Sequence, residues 1–99
     1  MTKSSKQDSS IADLSRAMSH TLRIQILQEL IMGSCIVSEL MDTLAVEASL
    51  LSKHLAVLRE AGLIECETEW RCRRYDLRKP EAVAAVLKAL SEASQGSEK

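Results

Sequence analysis

The chain has 99 residues, of which 45% are hydrophobic and 27% charged, with three glycines, one proline and no phenylalanine. This profile fits one small globular domain, and it excludes a wholly disordered chain or a repeat array. Because the formal charge is −1, bulk positive charge cannot hold nucleic acid, and so small a core disfavours an enclosed enzyme active site.

The N-terminal region predicts two helices. The first ten residues are polar and are expected to form a flexible tail. Apolar residues then recur at helical spacing from Ile11, which predicts a short helix that ends near Ser19. A second helix over residues 21–32 carries apolar side chains around most of its circumference, so it should lie at the centre of the core.

Two further helices follow in the middle of the chain. We expect Gly33 to end the second helix in the left-handed conformation, before a short strand over residues 34–37. Apolar spacing then predicts a third helix over residues 37–44 and a fourth over residues 48–61, which Gly62 closes. Two short helices joined by a tight turn have the geometry of a helix-turn-helix.

Beyond Gly62 the apolar period changes to two, which predicts a β-hairpin with its tip near residues 69–71. Pro80 then begins a last helix, and residues 91–99 are expected to form a flexible tail. The predicted fold is therefore mainly α with a small β-hairpin. It is a winged helix-turn-helix over residues 11–90, with an additional helix at each end.

Three separated segments resemble the ArsR/SmtB family of winged helix-turn-helix repressors. Residues 17–27 are similar to its opening motif, with Thr21 where the family usually has proline. Residues 55–64 resemble the end of its recognition helix and the entry to its wing, and residues 75–77 resemble its second wing strand. The resemblance runs without gaps from about residue 11 to residue 90, and it implies a homodimeric repressor that releases operator DNA when an inducer binds.

The residues support a homodimer independently. The first and last predicted helices both carry apolar stripes, and the compact unit between them can cover only part of that area. We therefore expect the two terminal helices to form a dimer interface. The alternative is that they pack on each other within one chain.

The expected partner is double-stranded DNA, with the fourth helix in the major groove and the hairpin against the adjacent backbone or minor groove. Residues 70–79 hold five basic side chains against Asp76 alone. The candidate DNA-contacting residues are Ser49, Ser52, Lys53, His54, Arg71, Arg73 and Arg74. Ser52, Lys53 and His54 are adjacent and point about 100° apart on a helix, so they cannot converge as a catalytic group.

Departures from the family pattern bear on specificity. Glu47 stands where the family favours a serine or threonine N-cap, and Ala48 and Leu50 replace polar residues at the start of the reading face. We therefore expect base-specific contacts to contribute a small share of the binding.

The inducer site is less defined. At the two cysteine positions of the family's third-helix metal site this chain has Ile36 and Ser38, and its last helix contains no histidine, so the usual metal ligands are missing. Cys66 and Cys72 lie on the two arms of the hairpin, where we expect them opposite each other or on a diagonal. There they could bind a soft metal or metalloid ion or form a reversible disulfide, with Cys35 as a third thiol. The alternative is that each cysteine only fills space in the structure.

Two rival functions stay open at this point, a winged-helix protein-interaction module without sequence-specific DNA binding and a thiol metal buffer. Near-neutral net charge and Leu50 on the reading face favour the interaction module. The apolar runs are far shorter than the roughly 20 residues of a membrane span, and no signal-peptide pattern is present. We therefore expect a cytoplasmic protein with reduced thiols and no membrane partner.

Overall fold

A computed structural model describes residues 5–96, which form five helices and three strands. In chain order the elements are α1 (Ser5–Ala17), α2 (Thr21–Met32), β1 (Cys35–Ile36), α3 (Val37–Leu44), α4 (Ala48–Glu60), β2 (Ile64–Glu69), β3 (Cys72–Leu77) and α5 (Pro80–Gly96). This order confirms the predicted winged helix-turn-helix with an extra helix at each end. We call the β2–β3 hairpin the wing.

The terminal helices are longer than their apolar spacing indicated. The first helix begins at Ser5 rather than Ile11, and the last continues to Gly96 rather than ending near Leu90. Backbone hydrogen bonds extend a helix through polar residues, so the apolar stripe marks its packed part and not its ends. Residues 5–10 and 91–96 of the expected flexible tails are therefore helical, whereas residues 1–4 and 97–99 lie outside the described residues.

The second helix lies at the centre of the core, as predicted. It contacts α3, α4, α5 and β3, and its Ile26 and Leu27 are completely buried. The other fully buried large side chains come from the elements around it, namely Leu40, Leu51, Leu55, Leu58 and Ile64. Because α2 is apolar on most sides, it can pack against four elements while its polar Gln25 and Gln28 stay exposed.

The three strands form an antiparallel sheet in the order β1-β3-β2. Glu69 pairs with Cys72, so the wing turns through a loop of two residues, Trp70 and Arg71. This loop lies within the predicted tip. It fixes the register, since each step back from the tip pairs the next residue of β2 with the next residue of β3.

The two helix-ending glycines behave differently. Gly62 has φ +82°, and the N–H groups of Gly62 and Leu63 donate to the carbonyls of Arg59 and Leu58, a Schellman motif that ends α4 as predicted. Gly33 caps α2 at φ 154° and ψ 167°. This conformation also favours glycine, but it is not the expected left-handed one, because the chain turns directly into β1.

The turn between α3 and α4 uses a strained residue. Ala45 caps α3 in the left-handed conformation at φ 56°, and Glu47 precedes α4 without a capping hydrogen bond from its side chain. Among residues 5–96, no helix is long and apolar enough to cross a membrane.

Candidate nucleic-acid interface

The exposed face of α4 lies opposite its buried stripe. Leu51, Leu55 and Leu58 are buried in the core, and successive residues rotate by about 100° around a helix. Ser49 and Lys53 therefore lie at the middle of the exposed face, and both are solvent-exposed. Of the four predicted contact residues on α4, Ser49 and Lys53 therefore lie on the side that a major groove could accept.

One flank of α4 faces the wing across a shallow groove of about 470 Å³. Ser52 and Arg59 line the groove from α4, and Arg73 and Tyr75 line it from β3. Two side chains predicted from the sequence, Ser52 and Arg73, are thus brought together. Arg59 was missed, although its position seven residues after Ser52 could have placed it on the same flank. Glu60 also lines the groove and reduces its positive charge.

Tyr75 holds the wing side of this groove. Its ring is buried, and Arg73 and Cys66 lie close enough to its hydroxyl to affect its pKa. Burial raises the pKa of Tyr75 above its ordinary value, so the phenol keeps its proton at neutral pH. The neutral phenol of Tyr75 and the Arg73 side chain therefore line the same side of the groove.

The three predicted wing arginines take different positions. Side chains alternate between the faces of a strand, so Arg73 shares the face of Tyr75 and Arg74 lies on the other face. Arg74 donates to the Ser34 hydroxyl at 3.3 Å and is paired with Glu67 across the sheet. Arg71 lies in the exposed tip. Of the three, Arg73 alone is among the residues of the groove beside α4.

His54 lies on the flank of α4 that faces away from the wing. Its ring centroid is 4.4 Å from that of His20, whose Nδ1 accepts a hydrogen bond from the Leu22 N–H and caps α2. Burial, together with His20, Arg23 and Lys53, lowers the pKa of His54, so its ring is neutral at neutral pH. The structure thus joins His54 to the start of α2 instead of to the groove beside the wing.

The register separates the thiols that we expected to pair. Cys66 stands opposite Tyr75, whereas Cys72 stands opposite Glu69, so the two cysteines lie on different faces of the sheet. The expected placement of Cys66 and Cys72 opposite each other or on a diagonal is wrong. With a two-residue loop, the partner of Cys72 is Glu69, which lies three residues from Cys66 along β2 and therefore on the other face.

Cys35 pairs with Tyr75 from the other side, which places Cys35 and Cys66 on either side of this ring. Burial and the carboxylates of Glu39 and Glu29 raise the pKa of Cys35, although Arg74 opposes them. Within residues 5–96, no cluster of three or more histidine, cysteine or acidic side chains could hold a metal ion.

A second, larger groove of about 1030 Å³ lies between α1, the end of α4 and α5. Apolar side chains such as Ile11, Leu14 and Val86 line it and are exposed. Arg23 also lines it, and its buried Nε has no hydrogen-bond partner within residues 5–96. The terminal helices therefore leave the uncovered apolar surface that their stripes predicted.

The comparisons with known proteins agree on one group of regulators. Residues 20–65 match the model of the arsR family of bacterial regulatory proteins. The chain is 33% identical over 82 residues to the biofilm growth-associated repressor of Xylella fastidiosa, which covers 83% of this chain and 70% of the relative.

Two more relatives extend this likeness. The chain is 35% identical over 89 residues to the HTH-type transcriptional regulator CmtR of Mycobacterium tuberculosis, covering 90% of this chain and 72% of the relative. The solved structure of reduced HlyU from Vibrio cholerae superposes with a TM-score of 0.80 at 32% identity, over 91% of this chain and 97% of that one.

Proposed function

Because the chain belongs to the ArsR family of bacterial regulatory proteins, we propose that it represses transcription by binding operator DNA with α4 and the wing. It is a DNA-binding transcriptional regulator and not an enzyme. The observation that carries the assignment of the surface is the groove in which Ser52 and Arg59 of α4 meet Arg73 of the wing. The relatives named above are regulators and give no support to the protein-interaction alternative.

In this proposal α4 lies in the major groove and the wing follows the adjacent backbone. Ser49 and Lys53 face the bases or the near phosphates, while Arg59 and Arg73 contact phosphates at the edge of the groove. The exposed start of α4 offers few hydrogen-bonding groups, because Ala48 and Leu50 stand there. Backbone contacts therefore supply most of the affinity, and the apolar side chains can only contact thymine methyl groups.

A second copy of the chain is the proposed occupant of the large apolar groove. Ile11 on α1 is 54% exposed and Leu90 on α5 is 56% exposed. A partner related by a twofold axis would cover these apolar side chains with its own α1 and α5. Such a dimer presents two copies of α4 to half-sites about 34 to 36 Å apart.

Cys66 is the proposed point at which an inducer acts. Cys66 stands opposite Tyr75 in the sheet, and Arg73 shares the face of Tyr75, so a soft metal or metalloid ion, or an oxidant, at Cys66 would disturb the packing beside Arg73. Cys35 borders the same ring from β1. Cys72 lies exposed on the other face of the wing and serves as the control.

The inducer proposal is tested by adding arsenite or peroxide to wild type and to the Cys66→Ser and Cys72→Ser variants while DNA binding is measured. We expect wild type and Cys72→Ser to release DNA and Cys66→Ser to retain it. Equal release from wild type and both variants would exclude Cys66 and leave the cysteines with a structural role.

DNA binding is tested by selecting bound duplexes from a random-sequence pool and measuring their affinity by fluorescence anisotropy. We expect the enriched sequence to contain two half-sites related by a twofold axis, with an affinity about 10³-fold or more above that for an unrelated duplex. Equal affinity for both duplexes would contradict a sequence-specific repressor. We propose that the protein acts in the cytoplasm, where bacterial DNA lies.

A further inference from the structure

The tip of the wing carries an unusual side chain for its position. Trp70 is the chain's single tryptophan, and its side chain is 97% exposed. It is also the first residue of the two-residue loop, where its φ is +59° while that of Arg71 is negative. This combination of signs is that of a type II′ turn, which normally takes glycine at the first position.

Folding does not explain a tryptophan here. A bulky side chain at positive φ strains the backbone, and a side chain that stays in water returns none of this cost through burial. Glycine would satisfy the same turn without strain. Strained residues with exposed apolar side chains concentrate at binding surfaces, so the tip is a place to look for a contact with a partner.

The register gives the distance of the tip from Arg73, the wing residue that lies beside α4. Arg73 lies in the groove beside α4 and pairs with Thr68. Because a strand advances about 3.3 Å per residue, the tip extends about 7 to 10 Å beyond Arg73. If α4 is centred in a major groove about 12 Å wide, that distance carries Trp70 past the phosphate backbone and over the neighbouring minor groove.

We propose that Trp70 enters the minor groove of the operator and packs its indole ring against the sugars and base edges there. This inference rests on the proposed function and assigns to the wing an apolar contact in addition to its arginines. The groove is about 6 Å wide and admits a ring from the side, while Arg71, next in the chain, can pair with a flanking phosphate. Apolar side chains that enter the minor groove read its width and deformability, so Trp70 favours A·T-rich flanks.

The single tryptophan makes the contact directly observable. Intrinsic fluorescence of the full chain is recorded while the duplex selected from the random pool is added, and binding is followed in parallel through a dye on the DNA. We expect the tryptophan emission to change in step with binding and the indole to become protected from acrylamide quenching. An unchanged emission during binding would overturn the proposal.

Two variants separate the contact from the fold. Trp70→Gly relieves the backbone, so its thermal unfolding midpoint should equal or exceed that of wild type, while its affinity for the selected duplex falls about fivefold or more. Trp70→Phe keeps an aromatic ring and should recover most of the affinity. Equal affinities for wild type and Trp70→Gly would overturn the proposal and leave the proposed DNA binding standing.

The choice of groove is tested in the DNA. Replacing guanosine by inosine in the flanks of the selected duplex removes the minor-groove amino group and leaves the major-groove edge intact. We expect this change to raise the affinity of wild type and to have a smaller effect on Trp70→Gly. An equal effect on both proteins would overturn the minor-groove assignment.

Two other outcomes are informative. Emission that changes with protein concentration and not with DNA would identify the tip as a contact between copies of the chain and overturn the proposal. If the labelled duplex shows no binding at all, then the proposed function fails together with this inference.

Discussion

Arg73 and Arg74 are neighbours in β3 that point to opposite faces, and this makes them a matched pair for testing the interface. Arg73 lies in the groove beside α4, whereas Arg74 hydrogen-bonds to Ser34 on the other face. Arg73→Ala and Arg74→Ala remove the same charge from adjacent positions. Any difference between them in DNA binding therefore reports contact and not net charge.

The expected magnitude follows from the number of phosphate contacts. If Lys53, Arg59 and Arg73 each contact one phosphate in both copies of a dimer, the slope of log affinity against log salt is about −5.4, since each contact contributes about −0.9. Arg73→Ala removes two contacts and should reduce the slope to about −3.6. Between 50 and 200 mM salt, wild type would then lose about 1,800-fold in affinity and Arg73→Ala about 150-fold.

Fluorescence anisotropy with the selected duplex at four or more salt concentrations measures both slopes. We expect Arg74→Ala to keep the wild-type slope, and thermal unfolding checks that both variants are folded. If the two substitutions flatten the slope equally, the face of β3 does not decide contact with DNA, and the assignment of the groove is refuted.

Three further predictions address the fold, the histidine pair and the dimer. Ala45→Gly removes left-handed strain at φ 56° and should raise the free energy of unfolding by about 0.5 to 1 kcal/mol in urea titrations; a loss of stability would contradict the strain. Because the pKa of His54 is lowered from 6.5 in the folded chain, the unfolded chain binds the proton more readily. The contribution of His54 to folding stability is therefore complete above pH 6.5 and is lost as the pH falls towards the folded pKa. Between about pH 7 and 5, the free energy of unfolding should decrease less in His54→Gln than in wild type. Equal decreases in the two proteins would contradict this prediction. Val86→Glu places a charge in the apolar groove of α1 and α5 and should give monomers in sedimentation equilibrium, while Ala85→Glu on the exposed side of α5 stays dimeric; a dimeric Val86→Glu would contradict the interface.

Helical spacing located the packed part of each helix because burial depends on which side chains share a face. Leu51, Leu55 and Leu58 indicated the buried stripe of α4, and the serines and Lys53 followed as its exposed side. The same spacing says nothing about helix ends, so α1 begins at Ser5 without any apolar residue to mark it.

Relations across the sheet were harder to predict because they depend on the length of one loop. Alternation identified both arms of the wing, but a loop of two residues decides that Cys66 stands opposite Tyr75. The expected pairing of Cys66 with Cys72 failed for this reason alone. Likewise, the position of His54 on α4 did not reveal that His20 lies beside it, since that contact depends on how α2 packs against α4.

Mapping the DNA contact by NMR tests most directly whether α4 and one face of the wing form a single DNA-binding surface. Backbone amide shifts of the full chain are compared with and without the selected duplex. We predict that the changes concentrate at Ser49, Lys53 and Arg73 and spare Glu65 and Asp76 on the other face of the wing. Changes centred on Glu65 and Asp76, with α4 unaffected, would contradict a DNA-binding surface made of α4 and the Arg73 face of the wing.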